Sequence, residues 1–304
     1  MHERAVAPGL TVSVVGIGGN NFGWRLDAAA TRAVVDEAID AGITVFDTAE
    51  SYGDGQSEEY LGRAFAGRRD RVVIATKFGW GGGFRDTSLA RGHPEYVRQA
   101  IEGSLTRLGT DYVDLYQYHR PDHVTPIEET LGAMDGLVRE GKVRCIGSSN
   151  FSAAQVEEAD VASAARGLAR FVTAQNRYSW LERGAEDELI PELERLGIAL
   201  IPYFPLASGL LSGKYRRGAP EPQGTRLSGR LEVSDEQWST IDALEAFAKA
   251  RGLGLLDVAI GGLAAQPTVC SVIAGAMTPG QVRANAAAGS WEPSVADLAE
   301  LRAL

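Results

Sequence analysis

Eight times along this chain a short, largely apolar run ends in polar residues, passes through a loop and gives way to a segment of helical period. That repeat constrains the fold more than any other feature. The strand candidates are "VSVVGIGG" (12–19), "ITVFDTA" (43–49), "VVIATKFG" (72–79), "YVDLYQYH" (112–119), "VRCIGSSN" (143–150), "FVTAQNRY" (171–178), "IALIPYFP" (198–205) and "TVCSVIAG" (268–275). Near-continuous apolar strands separated by helices indicate a parallel sheet covered on both faces, either an open sheet or a barrel. The eightfold count, with polar residues at the C-terminal strand ends, predicts a (β/α)8 TIM barrel. Gly42, Gly141, Gly197 and Gly252 read as helix stops, Asp27 as an N-cap, and Ser152 with Gln155 as a capping box.

The open-sheet alternative rests on "GIGGNNFG", a partial dinucleotide fingerprint. Its third glycine is replaced by Asn21, and no helix starts before about Asp27, so no helix N-terminus meets a pyrophosphate there. The segment reads instead as the loop after the first barrel strand. With the repeat beginning after residue 11, one barrel domain over 1–304 is expected. "APGL" predicts a short N-terminal hairpin within residues 1–11. Residues 204–233 form a long connection after the seventh strand, rich in proline, glycine and basic side chains, as a clamp on an anion would be.

Composition excludes several classes of function. A net charge of −10 argues against a nucleic-acid partner and favours solubility. No run of eighteen apolar residues offers a membrane span, and "MHERAVAPGL" has no basic segment leading into an apolar one, so a cytoplasmic location is expected. Cys145 and Cys270 lie far apart inside apolar runs and read as buried small hydrophobes. Oligomeric state is left open.

Four polar residues fall at neighbouring strand ends: Asp47, Tyr52 in the loop that follows it, Lys77 and His119. Singly, each has an ordinary structural explanation, as a turn cap, a surface aromatic, a snorkelling lysine and a core histidine. Lysine is the hardest to explain, since burying it is costly without a partner. Together they suit proton donation to a carbonyl. A lysine beside a tyrosine lowers its pKa, an aspartate holds that lysine charged, and a histidine orients the substrate oxygen.

Within "FDTAESYGDGQSEEYLG", "VIATKFG" and "DLYQYHRPD", these four positions resemble the catalytic tetrad of the aldo-keto reductases. The resemblance continues in order through "GKVRCIGSSNF", "AQNRYSWLER", "PYFPLASGLLSGKY" and "SVIAGAMTPGQVRAN". It implies NADPH-dependent reduction of an aldehyde or ketone, keto-sugars and other small carbonyl compounds included, with Tyr52 as proton donor. By position it implies that Ser149, Asn150 and Gln175 meet the nicotinamide carboxamide and that Tyr203 stacks on the ring. Gly19, Asn20 and Asp47 would also contact the cofactor. Phe204, Pro205, Leu206, Ala207 and Ser208 would wrap its phosphates, with Lys214 and Arg226 as cations, and Gly275, Met277, Gln281 and Asn285 would hold the adenosine. Where many relatives carry polar or charged groups this chain has Phe204, Gly275, Met277 and Ala284, so NADH is not excluded; Arg283 is a further candidate cation.

Trp24, Phe78, Trp80, Phe84 and Trp180 are expected to make an aromatic substrate mouth, with Asn20, Arg25 and Arg120 adding polar contacts. "GWGGGFRD" (79–86) reads as a loop able to close over ligand. The alternative function is a cofactor-binding regulatory subunit, which the likeness to potassium-channel β subunits implies. Two other chemistries rank lower. An aldolase would use Lys77 as a Schiff-base nucleophile. A metal site would need His119 and His123, whose helical spacing Pro121 breaks.

Overall fold

The computed structural model describes residues 1–80, 88–220 and 232–304. Phe84, Arg226 and most of "GWGGGFRD" lie outside the described residues. The chain opens with an antiparallel hairpin of β1 (Glu3–Ala7) and β2 (Leu10–Ser13). Eight parallel strands follow: β3 (Val15–Gly18), β4 (Val45–Asp47), β5 (Val73–Phe78), β6 (Val113–Tyr118), β7 (Val143–Ser149), β8 (Phe171–Arg177), β9 (Ala199–Tyr203) and β10 (Val272–Ala274). They close into a barrel where β10 pairs with both β3 and β9. The helices are α1 (Ala28–Asp40), α2 (Gln56–Phe65), α3 (Pro94–Leu108), α4 (Ile127–Arg139), α5 (Ala153–Arg166), α6 (Leu189–Leu196), α7 (Asp235–Ala250), α8 (Leu255–Ala264), α9 (Pro279–Ala288) and α10 (Val295–Ala303). The fold is the (β/α)8 barrel, with α7 and α8 in tandem before β10 and α10 added at the end. Among the described residues no helix is long and apolar enough to cross a membrane.

Helix ends follow the local chemistry. The Asp27 side chain accepts from Ala30 N at the start of α1, and Ser152 with Gln155 makes a reciprocal capping box on α5. The four stop glycines all have positive φ. Ser57 and Glu58 stand in the first turn of α2, which begins at Gln56 after Gly55, but neither side chain caps it. Both are fully buried: Ser57 Oγ bonds Thr48 and Gly19 O, and Glu58 bonds Thr76 and Arg107.

Strand boundaries differ from the sequence reading at several places, 43–49 for instance shortening to Val45–Asp47, and two of the differences matter for the architecture. The run 12–19 is two elements, because Ser13 makes a corner. Its Oγ donates to Val15 O and accepts from Thr44 N, while its own N–H donates to Thr44 Oγ1. The hairpin therefore extends past residue 11, and Leu10 and Val12, 1% and 2% exposed, pack with Val45, Ala75, Leu115, Cys145, Ile201, Cys270 and Ile273. They plug the N-terminal end of the barrel. The run 268–275 shortens to Val272–Ala274, with Val269 reaching Leu200 only through an isolated bridge.

Alternation along each strand then decides what faces inward. Phe46, Ile74, Tyr116, Ile146, Ala174 and Leu200 pack outward against the helices. Val45, Ala75 and Leu115 face the plug, and two residues further along the same strands stand Asp47, Lys77 and Gln117. The barrel interior thus changes from apolar to polar within one side-chain layer, toward the C-terminal end.

Near the opposite end Asp114, 2% exposed, ties three strands together. It accepts from Arg69 Nη2 at 2.6 Å, from Arg144 Nη1 at 2.8 Å and from Ile74 N at 2.9 Å, while the two guanidinium groups sandwich the Tyr112 ring. Removing one partner of a buried ion pair leaves the others uncompensated, typically at about 3 kcal/mol or more. Asp114→Asn is therefore expected to lower Tm by about 5–10 °C in a thermal melt followed by circular dichroism. An unchanged Tm would mean that Arg69 and Arg144 are solvated rather than held.

Candidate active site

The polar layer leads into the loops at the C-terminal ends of the strands. Asp47 ends β4, and Thr48 N and Glu50 N continue bonding to Ala75 O and Lys77 O of β5, so the chain leaves β4 still attached to its neighbour. It then turns through Tyr52–Gly55, where Gly53, Asp54 and Gly55 all have left-handed φ. At Gly53 a Cβ would lie 2.8 Å from Phe22 O, so the β3 and β4 loops touch where only glycine fits. This turn sets Tyr52 beside Lys77.

Lys77 has no solvent exposure. Its Nζ donates to Asp47 Oδ2 at 2.7 Å and to Thr48 O at 2.8 Å, and lies 3.4 Å from Tyr52 Oη. All three ammonium donors have a partner. Burial acts to lower its pKa, but the Asp47 carboxylate and the Tyr52 contact outweigh it and the net shift is upward, so the amine stays cationic. For Tyr52 the balance runs the other way. Burial of the hydroxyl raises its pKa above the ordinary tyrosine value, and Lys77 pulls it down without overcoming that. The expected lowering by lysine is present but is the smaller effect, and Tyr52 is protonated at neutral pH, the form that can donate.

His119 leaves β6 with its N–H bonded to Phe78 O at 2.8 Å. Its ring meets Tyr52 edge-on, with centroids 5.9 Å apart, and Trp80 at 4.6 Å. Burial first, and then the Lys77 charge, push its pKa well below the ordinary histidine value, so the imidazole is neutral. A neutral imidazole carries one N–H donor and one lone pair; Nδ1 is buried without a hydrogen-bond partner among the described residues.

Asp47, Tyr52 and His119 line a cavity of about 890 Å³, with Lys77 beneath its floor. The same cavity is lined by Asn20, Ser149, Asn150, Gln175, Tyr203, Phe204, Pro205, Leu206, Ser208, Lys214, Gly275, Met277, Gln281 and Asn285. Gly19 lies between the lining residues Gly18 and Asn20 but turns toward Ser57 and Asp47, and Ala207 sits between Leu206 and Ser208. Several of these groups already bond to one another. Tyr203 Oη donates to Asn150 Oδ1 at 2.6 Å, and Asn150 Nδ2 donates to His119 O and to Ser149 Oγ. Gln175 Nε2 donates to Asp47 Oδ1 at 2.8 Å. Gln281 Oε1 accepts from Met277 N, and Asn285, 3% exposed, reaches Gly275 O.

The aromatic mouth is smaller than the sequence suggested. Trp80 lines the cavity, but Phe78, on the same strand as Lys77 and one residue on, points to the opposite face and stacks between Tyr116 and Tyr118. Trp180 is also buried, its Nε1 donating to Val258 O of α8. Trp24 is 68% exposed outside the cavity wall. Arg120 stands over Trp80 rather than in the wall, while Arg25 does line the cavity. Arg283 is tied to Glu37 on the surface.

Sequence reasoning passed over Gln117, whose Nε2 lies 3.5 Å from Asp47 Oδ1, and Arg177, which lines the cavity. Period-2 alternation marks both, since they stand two residues before His119 and two after Gln175. Glu50 escaped notice as well. It is 2% exposed and accepts from Gly79 N and Tyr96 Oη, fixing the stem from which Trp80 projects.

A family model described as the aldo/keto reductase family matches residues 14–304. The chain is 36% identical over 290 residues to a probable voltage-gated potassium channel subunit beta of Oryza sativa subsp. japonica, covering 91% of this chain and 87% of that one. It is 36% identical to the uncharacterized oxidoreductase YrpG of Bacillus subtilis, covering 90% and 86% of the two chains. Aldo-keto reductase YhdN of the same organism is 35% identical, covering 93% of this chain and 87% of its own length. Among solved structures, the glycerol dehydrogenase AKR11B4 from Gluconobacter oxydans superposes with a TM-score of 0.83 at 28% identity, over 97% of this chain and 91% of that one. The chain belongs to the aldo/keto reductase family and is an NAD(P)H-dependent oxidoreductase.

Proposed function

We propose that the protein reduces an aldehyde or ketone to the alcohol, with Tyr52 as the proton donor. The observation that carries this reading is the unbroken chain Asp47–Lys77–Tyr52 at the floor of a large cavity, with a neutral His119 beside it. A buried ion pair is weak support for stability, because desolvating two charges costs several kcal/mol, and such pairs concentrate where chemistry needs them. The carbonyl oxygen is received between Tyr52 Oη and the His119 ring. Tyr52 gives its proton to that oxygen, and Lys77 stabilises the tyrosinate left behind until solvent reprotonates it.

The residues present fit a nicotinamide dinucleotide. Ala207, Ser208 and Gly209 have consecutive left-handed φ, which curls the backbone along the cavity wall; Ala207 N and Gly209 N donate to Phe204 O and Leu206 O, closing tight turns there. Lys214 lines the same stretch and has no carboxylate partner among the described residues. Phe204 to Ser208 with Lys214 would hold the diphosphate, Tyr203 and the Ser149–Asn150 pair the nicotinamide, and Gly275 to Asn285 the adenosine. When bound, the cofactor supplies a hydride to the carbonyl carbon. Gln175 would anchor Asp47 as well as meet the carboxamide.

Relatives carrying the name of a channel β subunit and relatives named as oxidoreductases match this chain equally well, at 36% identity. A cofactor-binding regulatory subunit is therefore the second reading. It would show as cofactor binding with negligible turnover and co-purification with a membrane partner.

Mixing the protein with NADPH and a panel of aldehydes, ketones and keto-sugars tests the primary reading. Tyr52→Phe is expected to lose about 100-fold or more in kcat while keeping its cofactor affinity. A wild type that oxidises no cofactor, or a variant with full activity, would sink the mechanism. Since burial raises the Tyr52 pKa, reduction should hold through neutral pH and decline only above the ordinary tyrosine value of about 10. An alkaline limb near pH 8 would contradict that.

NADPH is the proposed cofactor. Yet near Met277, Thr278, Gln281 and Ala284 no described cavity residue is cationic, and Arg283 is already paired with Glu37. The preference over NADH is therefore expected to be under about tenfold, roughly one surface ion pair. Fluorescence titration with both nucleotides measures it, and a ratio above a hundredfold would require a 2′-phosphate contact outside these residues.

A further inference from the structure

The geometry points to a substrate that carries an anionic oxo group, a carboxylate or a phosphate, received at the cavity mouth by Arg120 and Arg25. This inference rests on the reductase reading of the same site. If the cofactor lies over the ends of β7–β10, the described residues on the side left for substrate are Arg25, Tyr52, Trp80 and His119, with Arg120 against Trp80.

Elsewhere on the surface arginines are regularly ion-paired, as Arg63 is with Glu59, Arg98 with Glu140, Arg195 with Glu157 and Arg251 with Glu300. Arg25 and Arg120 are exceptions. Among the described residues neither has a carboxylate within ion-pair distance, and each guanidinium instead lies over a tryptophan, Arg25 at 5.2 Å from the Trp24 ring and Arg120 at 5.9 Å from Trp80. Trp80 in turn packs on His119, so Arg120 is one aromatic ring removed from the group that meets the carbonyl.

Its loop is held in place beforehand. The neighbouring Asp122 spends both carboxylate oxygens on Gly92 N, Val124 N, Thr125 N and Thr125 Oγ1, and its own N–H donates to Tyr118 Oη. That carboxylate is therefore not a partner for Arg120. Asp47 is the one carboxylate lining the described cavity, and Lys77 neutralises it. In a chain of net charge −10, a mouth that among the described residues has two unpaired guanidinium groups and no free carboxylate in its wall selects anions locally. Guanidinium binds carboxylate and phosphate through paired, charge-assisted hydrogen bonds.

The test compares kcat/KM for 4-carboxybenzaldehyde, 4-formylphenyl phosphate and the uncharged methyl 4-formylbenzoate. Wild type should favour an anionic aldehyde over the ester by about tenfold or more, the size of one charge-assisted pair, and 0.5 M salt should erode that ratio. Arg120→Leu, and more so Arg120→Leu with Arg25→Leu, should bring it toward one. Whichever anion is favoured separates carboxylate from phosphate recognition. A wild-type ratio near one, or a ratio unchanged in the double variant, overturns the inference. Absence of turnover with all three aldehydes would count against the reductase reading alone, and calorimetric titration with benzoate and phenyl phosphate against benzamide then decides the anion site. Binding of either anion that is tighter than benzamide and weakened in Arg120→Leu supports it, and no such difference overturns it.

Discussion

An ammonium group with no solvent exposure persists only if its charge is answered at hydrogen-bond distance. In this barrel the answer to Lys77 comes from the Asp47 carboxylate and the Thr48 carbonyl, both supplied by the adjacent strand. Much of the site follows from that pairing. Asp47 is itself held by Gln175 from across the barrel and approached by Gln117 from β6, so one carboxylate gathers three strands. Tyr52 is brought to the third donor of the amine by a turn that only glycine can make against Phe22. Every one of these groups sits above an apolar plug that keeps water from reaching the pair from below.

The electrostatics of the site are set by burial as much as by charge. Desolvation holds Tyr52 protonated, keeps His119 neutral and opposes the charge on Lys77, and only for the lysine do its partners win. The outcome is a neutral acid, a neutral hydrogen-bond donor and a fixed cation side by side. That is the combination a proton donor to a carbonyl needs, because the cation gains most from its neighbour after the proton has left.

Much of this was legible in the chain. The eight strands were readable because parallel barrel strands are apolar on both faces, and the Lys77–Asp47 pairing because a core lysine needs a partner. The aromatic mouth was read less well. Phe78 is the last residue of β5, and alternation one position beyond Lys77 sends it into the helix layer, while Trp180, beyond the end of β8, is drawn inward by its bond to Val258 O of α8. Ser57 and Glu58 stand in the first turn of α2, but the bonds that bury them reach Gly19, Thr76 and Arg107, far away along the chain and invisible to a local pattern.

By itself the sequence determined the period of the elements, the polar residues at the strand ends and the glycines that permit the turns, because these depend on local backbone and side-chain chemistry. Only the tertiary structure decided which of those polar residues meet. Closing the barrel brings Asp47, Lys77, Gln117 and Gln175 together, and the hydrogen bonds among them span up to 128 positions of chain, a distance over which no local pattern carries information.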